Sequence, residues 1–196
     1  ALIDDPGVDL VYNALPPARH ADLCIAAMEA GKDVFCEKPI AMNAEEAQAM
    51  VDAAERTGRR LIEAFHYRYH PLFQWIVDQC RADVLGPLTT IQGRFCVSIP
   101  YRDGELRHDA RMGGGGLMDL GSYVMHWLRT IAGAEPVIEQ AKAWQGHAED
   151  VDVWLAADMD LDGISGRLEC AMDYQGDRAI DLVVEGRNGR LTVDNP

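Results

Sequence analysis

The segment DVFCEKPIAMNAEE, residues 33–46, carries a buried-strand pattern straight into an adjacent acid and base. Val34-Phe35-Cys36 is apolar throughout, the form of a strand covered on both faces. Glu37, Lys38 and Pro39 end it. Asn43 then opens a helix, with Glu46 three residues on as a capping-box partner. Pro39 fixes its own φ and biases Lys38 toward extended backbone, which makes the direction of the lysine side chain reproducible. A lysine at the mouth of a cleft can donate a proton or a hydrogen bond, and desolvation lowers its pKa.

Working outward, the flanking segments repeat the same grammar. Val8–Tyr12 reads as a strand that ends in the turn NALPP, residues 13–17. A helix is expected from Arg19 to Ala30, with Leu23, Ala26, Ala27 and Ala30 on one face and Gly31 as its stop. The helix opened by Asn43 should bury Ala47, Met50, Val51 and Ala54 and end at Gly58. RRLIEAF, residues 59–65, is a third strand. The order β-α-β-α-β implies a parallel sheet covered by helices. Such sheets bind ligands beyond the carboxyl ends of their strands. NALPP, CEKP (36–39) and FHYRYHP (65–71) lie there.

After Phe65 the pattern changes. HPLFQWIVDQCRA (70–82) reads as a helix with proline in its first turn, and LTTIQGRFCVSI (88–99) as a strand. A glycine run, Gly113–Gly116, leads into a helix ending at Gly133. Beyond Pro136, strand-like segments succeed one another across the turns LDGI, QGD and RNG, the mark of a largely antiparallel sheet. Two domains are expected, residues 1–65 and residues 66–196.

The formal net charge of −14 argues against nucleic acid, whose phosphates need clustered Lys and Arg, and equally against anionic membrane surfaces. Five scattered cysteines, with no CxxC pair, read as buried free thiols in a reducing compartment, hence a cytoplasmic setting. No histidine and carboxylate spacing suggests a metal site. No signal peptide is visible, but the chain opens next to a strand without Met, so a preceding segment is expected.

Two clusters stand out as chemistry. Asp119, Tyr123 and His126 are spaced to share one helix face, while Leu117, Leu120, Val124, Trp127, Leu128 and Ile131 supply the core. The preceding glycines would let a backbone or ligand come close. In FHYRYHP, Phe65, Tyr67 and Tyr69 alternate with His66, Arg68 and His70, as on a strand edge whose polar side meets solvent or a ligand.

Residues 8–71 together with GGGGLMDLGSY resemble the glucose–fructose oxidoreductase/inositol dehydrogenase (Gfo/Idh/MocA) family. EKP followed by GGG-x-x-x-D-x-G, in this order, carries the resemblance. It implies an α/β architecture: the C-terminal part of a Rossmann-type parallel sheet, then an α+β domain with a large, mostly antiparallel open sheet. It further implies NAD or NADP as cofactor, a sugar or polyol substrate, and a homodimer or homotetramer formed through the second sheet. Many members carry His four residues after the Asp. Tyr123 at that position resembles the branch with dihydrodiol and xylose dehydrogenases, where Lys and Tyr act together. By this resemblance Lys38 and Tyr123 are the catalytic pair, supported by Asp119. Ala14, Leu15, Pro16, His20, Glu37, Lys38 and Arg68 match positions around the cofactor, and Tyr123, His126 and Arg68 face substrate. A non-catalytic sugar-binding regulator and an NAD-dependent glycosidase are the alternatives within the family. The glycine-rich pyrophosphate turn that opens such domains has no match here, so the N-terminal half of the domain and the C-terminal end of the second are expected to lie outside this chain.

Overall fold

The computed structural model describes residues 2–196. The chain divides into two compact units, one running up to Phe65 together with Arg111–Gly113, the other comprising His66–Ala110 and Gly114–Pro196.

The first unit is a three-stranded sheet in the order β1 (Leu10–Asn13), β2 (Asp33–Cys36), β3 (Leu61–Glu63), all parallel. Helices α1 (His20–Glu29) and α2 (Ala44–Thr57) make the two crossovers. Val34 and Cys36 point to the same side of the pleat and share a core with Cys24, Ala27 and Met28 of α1 and Met50 and Ala53 of α2. Fully burying a side chain such as Met28 or Met50 stabilises by about 1.5–3 kcal/mol. The inward face of α1 differs from that expected, and that of α2 differs at one position. On α1, Ala26 and Ala30 are exposed, and His20, Cys24 and Met28 point inward. On α2, Ala47, Met50 and Ala54 pack inward as expected, while Val51 is exposed and Ala53 is buried in its place. On α1 the long Met28 side chain fills the space over the sheet, and the face is rotated by one position relative to the alanine pattern. The opposite pleat, with Leu10, Tyr12 and Ile62, stays exposed. The outer edge of β1 has no strand partner among the described residues.

Asn43 caps α2 as anticipated. Its side chain accepts from the Glu46 amide at 2.9 Å, and the Glu46 carboxylate reaches back to the amide of Met42 at 3.1 Å. Gly58 closes the helix in the left-handed conformation, φ 65°.

The second unit is a six-stranded sheet in the order β5-β6-β7-β4-β8-β9. Its strands are β4 (Leu88–Cys96), β5 (Val137–Gln145), β6 (Asp152–Leu161), β7 (Ile164–Ala171), β8 (Ala179–Gly186) and β9 (Gly189–Asp194). Only β4 and β7 pair in parallel; every other pairing is antiparallel. Helix α3 (Pro71–Arg81) buries Phe73, Ile76 and Val77, and His70 caps it by accepting from the Leu72 amide. Helix α4 (Ser122–Ala132) lies against β4. Gly93 in the middle of β4 makes that approach possible, because a Cβ there would stand 2.7 Å from Val124 Cγ1 and 3.3 Å from Trp127 and Leu128. No helix among the described residues is long and apolar enough to cross a membrane.

FHYRYHP is not a strand. His66–Tyr69 forms a 3₁₀ turn, closed by the His70 amide on the Tyr67 carbonyl at 2.8 Å. The alternation fails at its last member: Phe65 and Tyr67 are buried, but Tyr69 is 64% exposed. With α3 starting at Pro71, the chain must turn at once, and a tight i→i+3 turn does so.

Candidate active site

The sequence-derived candidates divide between the two units. Those of the first stand on the turns after β1 and β2. Asn13 ends β1 with its side chain buried; its Oδ1 accepts from the Leu15 amide at 3.2 Å, and its Nδ2 donates toward the Arg19 carbonyl and Cys24 Sγ. This holds Ala14 and Leu15 exposed and Pro16 half-buried on a fixed turn. His20 departs from its expected place against a ligand. It is 0% exposed, and its ring nitrogens meet the carbonyls of Leu15 (2.7 Å) and Pro39 (3.0 Å). It therefore ties the turn after β1 to the turn after β2 and presents no surface to a bound molecule.

The β2 turn is held from three sides. The Glu37 amide donates to the Asn13 carbonyl at 2.9 Å, and the Glu37 carboxylate accepts from the Tyr12 hydroxyl. That carboxylate pushes the Tyr12 phenol above its ordinary pKa, because the anion stabilises the protonated form. The Ile40 amide donates to Glu63 on β3 at 2.8 Å. Lys38 sits between these anchors, half-buried, and the Lys38–Pro39 peptide bond is cis. Beneath the turn, Cys36 and Cys24 lie side by side, both buried. The neighbouring thiol and burial push the Cys36 thiol up.

The candidates of the second unit stand at the start of α4. Leu117–Gly121 is a π-helical turn that runs into α4. Such turns add a residue, shift the register of the helix beyond them, and recur at functional sites. The glycines before it leave room for two neighbours. A Cβ on Gly114 would meet the Arg107 carbonyl at 2.6 Å, and Cβ atoms on Gly115 and Gly116 would meet the Asp152 carboxylate. Asp152 accepts from the Leu117 amide at 2.8 Å, capping the helical segment. Burial pushes its carboxyl pKa up, and the backbone N–H groups it accepts oppose that shift. The glycine run thus makes room for Asp152 and the Arg107 backbone. Leu117, expected in the core, is 38% exposed because it opens the turn; Leu120, Val124, Trp127, Leu128 and Ile131 are buried.

Asp119 is ion-paired with Arg107, Nε to Oδ2 2.8 Å, and Arg107 also holds Glu105 at 2.8 Å. Arg107 and Glu105 were not singled out from sequence; they lie in an irregular loop with no periodic signal. Tyr123 stands among the rings of Phe95 (5.4 Å between centroids), Tyr67 (5.7 Å) and His66 (5.8 Å). His126 Nδ1 meets the Tyr67 hydroxyl at 2.5 Å and Thr130 Oγ1 at 3.4 Å. Burial first, then the Arg68 and Arg129 cations, push the His126 imidazole down to about 4, so the ring is neutral at physiological pH. Tyr67, which joins Tyr123 to His126, is the residue that sequence reasoning placed on a strand edge. Arg68 is exposed and lines a cleft of about 390 Å³ with Gln74, Asp78, Arg81 and Thr130. Among the described residues no three His, Cys, Asp or Glu are grouped so as to hold a metal ion.

Residues 1–65 match the oxidoreductase family with an NAD-binding Rossmann fold, and residues 73–192 match the GFO/IDH/MocA C-terminal domain. The chain is 33% identical over 174 residues to D-xylose 1-dehydrogenase (NADP(+)) 2 of Haloferax volcanii, covering 88% of this chain and 53% of that protein. It is 26% identical over 196 residues to trans-1,2-dihydrobenzene-1,2-diol dehydrogenase of Sus scrofa, covering 100% and 57%. The structure superposes on levoglucosan dehydrogenase, solved with NADH and levoglucosan, with a TM-score of 0.91 and 26% identity, covering 98% of this chain and 56% of that one. The chain thus spans little more than half the length of these relatives. Both units match in order and nearly end to end, and the chain belongs to the GFO/IDH/MocA oxidoreductase family.

Proposed function

We propose that the whole protein is an NAD- or NADP-dependent oxidoreductase acting on a CH–OH group of a sugar, polyol or related substrate. The observation that carries this reading is that each unit separately holds a prepared position: in the first a lysine on a turn anchored by several hydrogen bonds, in the second a tyrosine seated among aromatic rings at a π-helical turn. The names of the relatives, a xylose dehydrogenase and a dihydrodiol dehydrogenase, support the substrate class.

The first unit fits a nicotinamide cofactor at its strand ends. Ala14 and Leu15 are exposed on a rigid turn where a ligand can approach the backbone closely, and Glu37 offers an acceptor for a ribose hydroxyl. None of these turns is glycine-rich, so they hold no cradle for a pyrophosphate. When bound, NAD(P) gives or takes the hydride. We assign to Tyr123 the exchange of the substrate hydroxyl proton and to Lys38, the other member of the pair that the family resemblance implies, a supporting cation. Asp119, fixed by Arg107, orients the substrate. Arg68 and His126 complete the substrate side. The five free thiols support a reducing, cytoplasmic setting.

We also propose that the protein is a homodimer or homotetramer assembled through the second sheet. Its edge strand β5 is exposed along its whole length, and Trp144 on β5 stacks on Trp154 of β6 at 4.1 Å. A monomeric mass in light scattering at high concentration would refute this.

The test of activity is to offer the whole protein NAD and NADP with a panel of aldoses and polyols and to track the near-ultraviolet absorbance of the reduced cofactor. Appearance of the reduced form with at least one substrate supports the reading. Tight cofactor binding with no redox change on any substrate would contradict it and favour a sugar-sensing role.

A further inference from the structure

Tyr67, read from sequence only as part of the alternation in FHYRYHP, is 6% exposed and touches both Tyr123 and His126. Its ring meets Phe73 edge-on at 4.8 Å, Trp127 at 5.9 Å and His126 at 5.7 Å, and leans against Tyr123 at 5.7 Å. A ring so enclosed has one rotamer available to it. Its hydroxyl stands 2.5 Å from His126 Nδ1, and a second hydroxyl, Thr130 Oγ1, stands 3.4 Å from the same nitrogen. Both hydroxyls carry a proton to donate. Each hydroxyl can donate or accept, but a phenol is the better donor and a neutral imidazole nitrogen the better acceptor, so the short contact favours a bare Nδ1 that accepts from Tyr67.

We propose that Tyr67 and His126 form a positioning pair for Tyr123. The Tyr67 hydroxyl donates to Nδ1 and fixes His126 as the Nε2–H tautomer, while the Tyr67 ring holds the Tyr123 ring against Phe95. His126 is then a fixed hydrogen-bond donor and not an acid or base of the reaction. The kinetic consequence rests on the assignment of Tyr123 to proton transfer; the tautomer does not.

The test uses Tyr67→Phe, which keeps the ring and removes only the hydroxyl, in the whole protein with ¹⁵N-labelled histidine. The unaltered protein is expected to show His126 as Nε2–H, and Tyr67→Phe to show a growing Nδ1–H population. With substrate, Tyr67→Phe should lower kcat roughly ten- to hundredfold with KM changing much less, as for a misplaced reacting group. His126→Gln retains a donor near the Nε2 position, so adding Tyr67→Phe to it should cost no further rate. An Nδ1–H tautomer in the unaltered protein overturns the proposal. So does a Tyr67→Phe variant with unchanged tautomer and kcat, or additive losses in the double variant. Should Tyr123→Phe itself keep full turnover, the assigned reaction fails while the tautomer measurement still decides the pair.

Discussion

The lysine turn and the tyrosine helix are prepared by different physics. Lys38 is held by the order of the elements: three parallel strands end together, and the side chains of Asn13, His20 and Glu63 at or near those ends bond the backbone of the turns. Tyr123 is held by side chains from distant segments, with Tyr67 and His126 59 residues apart in sequence and Asp152 35 residues beyond Leu117. A site of the first kind is set by the order of elements. A site of the second kind depends on which side chains happen to converge, and single substitutions should reach it more readily.

Substitutions that remove each support in turn should separate the two sites. Met50→Ala empties a fully buried position in the core under the Lys38 turn and should cost about 2–5 kcal/mol in denaturant unfolding. A loss below about 1 kcal/mol would mean that the turn does not depend on the helix layer. Gly115→Ala should cost about 1–3 kcal/mol, because Gly115 has φ 128° and its Cβ would press on Asp152. If the variant melts like the unaltered protein, the glycine run is not serving the cap. Asn43→Ala removes a side-chain cap and should cost about 1 kcal/mol. A further effect is a pH dependence. Because the folded-state pKa of His126 lies near 4, below its ordinary value of 6.5, the unfolded chain binds the extra proton first as pH falls. His126 therefore contributes to a stability that rises with pH between those values, and His126→Gln should flatten the slope of a thermal-melt series across that window.

Sequence reading reached the first unit almost whole. Strand, turn and cap signals are local, and DVFC, EKP and Asn43–Glu46 each act within a few residues. It misplaced the inward face of α1 and one position of α2, Val51, because alanines give weak contrast and methionines reach further than their position implies. In the second unit the strands were legible from turn chemistry, as was the helix carrying Tyr123. The π turn was not, and it separates the partners of Asp119 from those of Tyr123 and His126 despite their regular spacing. FHYRYHP looked like a strand because aromatic alternation is a strand signal, but the helix starting at Pro71 left no room for one. Arg107 and Tyr67 were out of reach because nothing local marks a residue whose role is set by a partner far along the chain.

The most direct test of the proposed chemistry is turnover by the whole protein carrying Lys38→Ala or Tyr123→Phe, with cofactor affinity measured alongside. The account predicts that each lowers kcat on the order of 10²- to 10⁴-fold while the cofactor still binds to Tyr123→Phe. Near-normal turnover in both variants would contradict it.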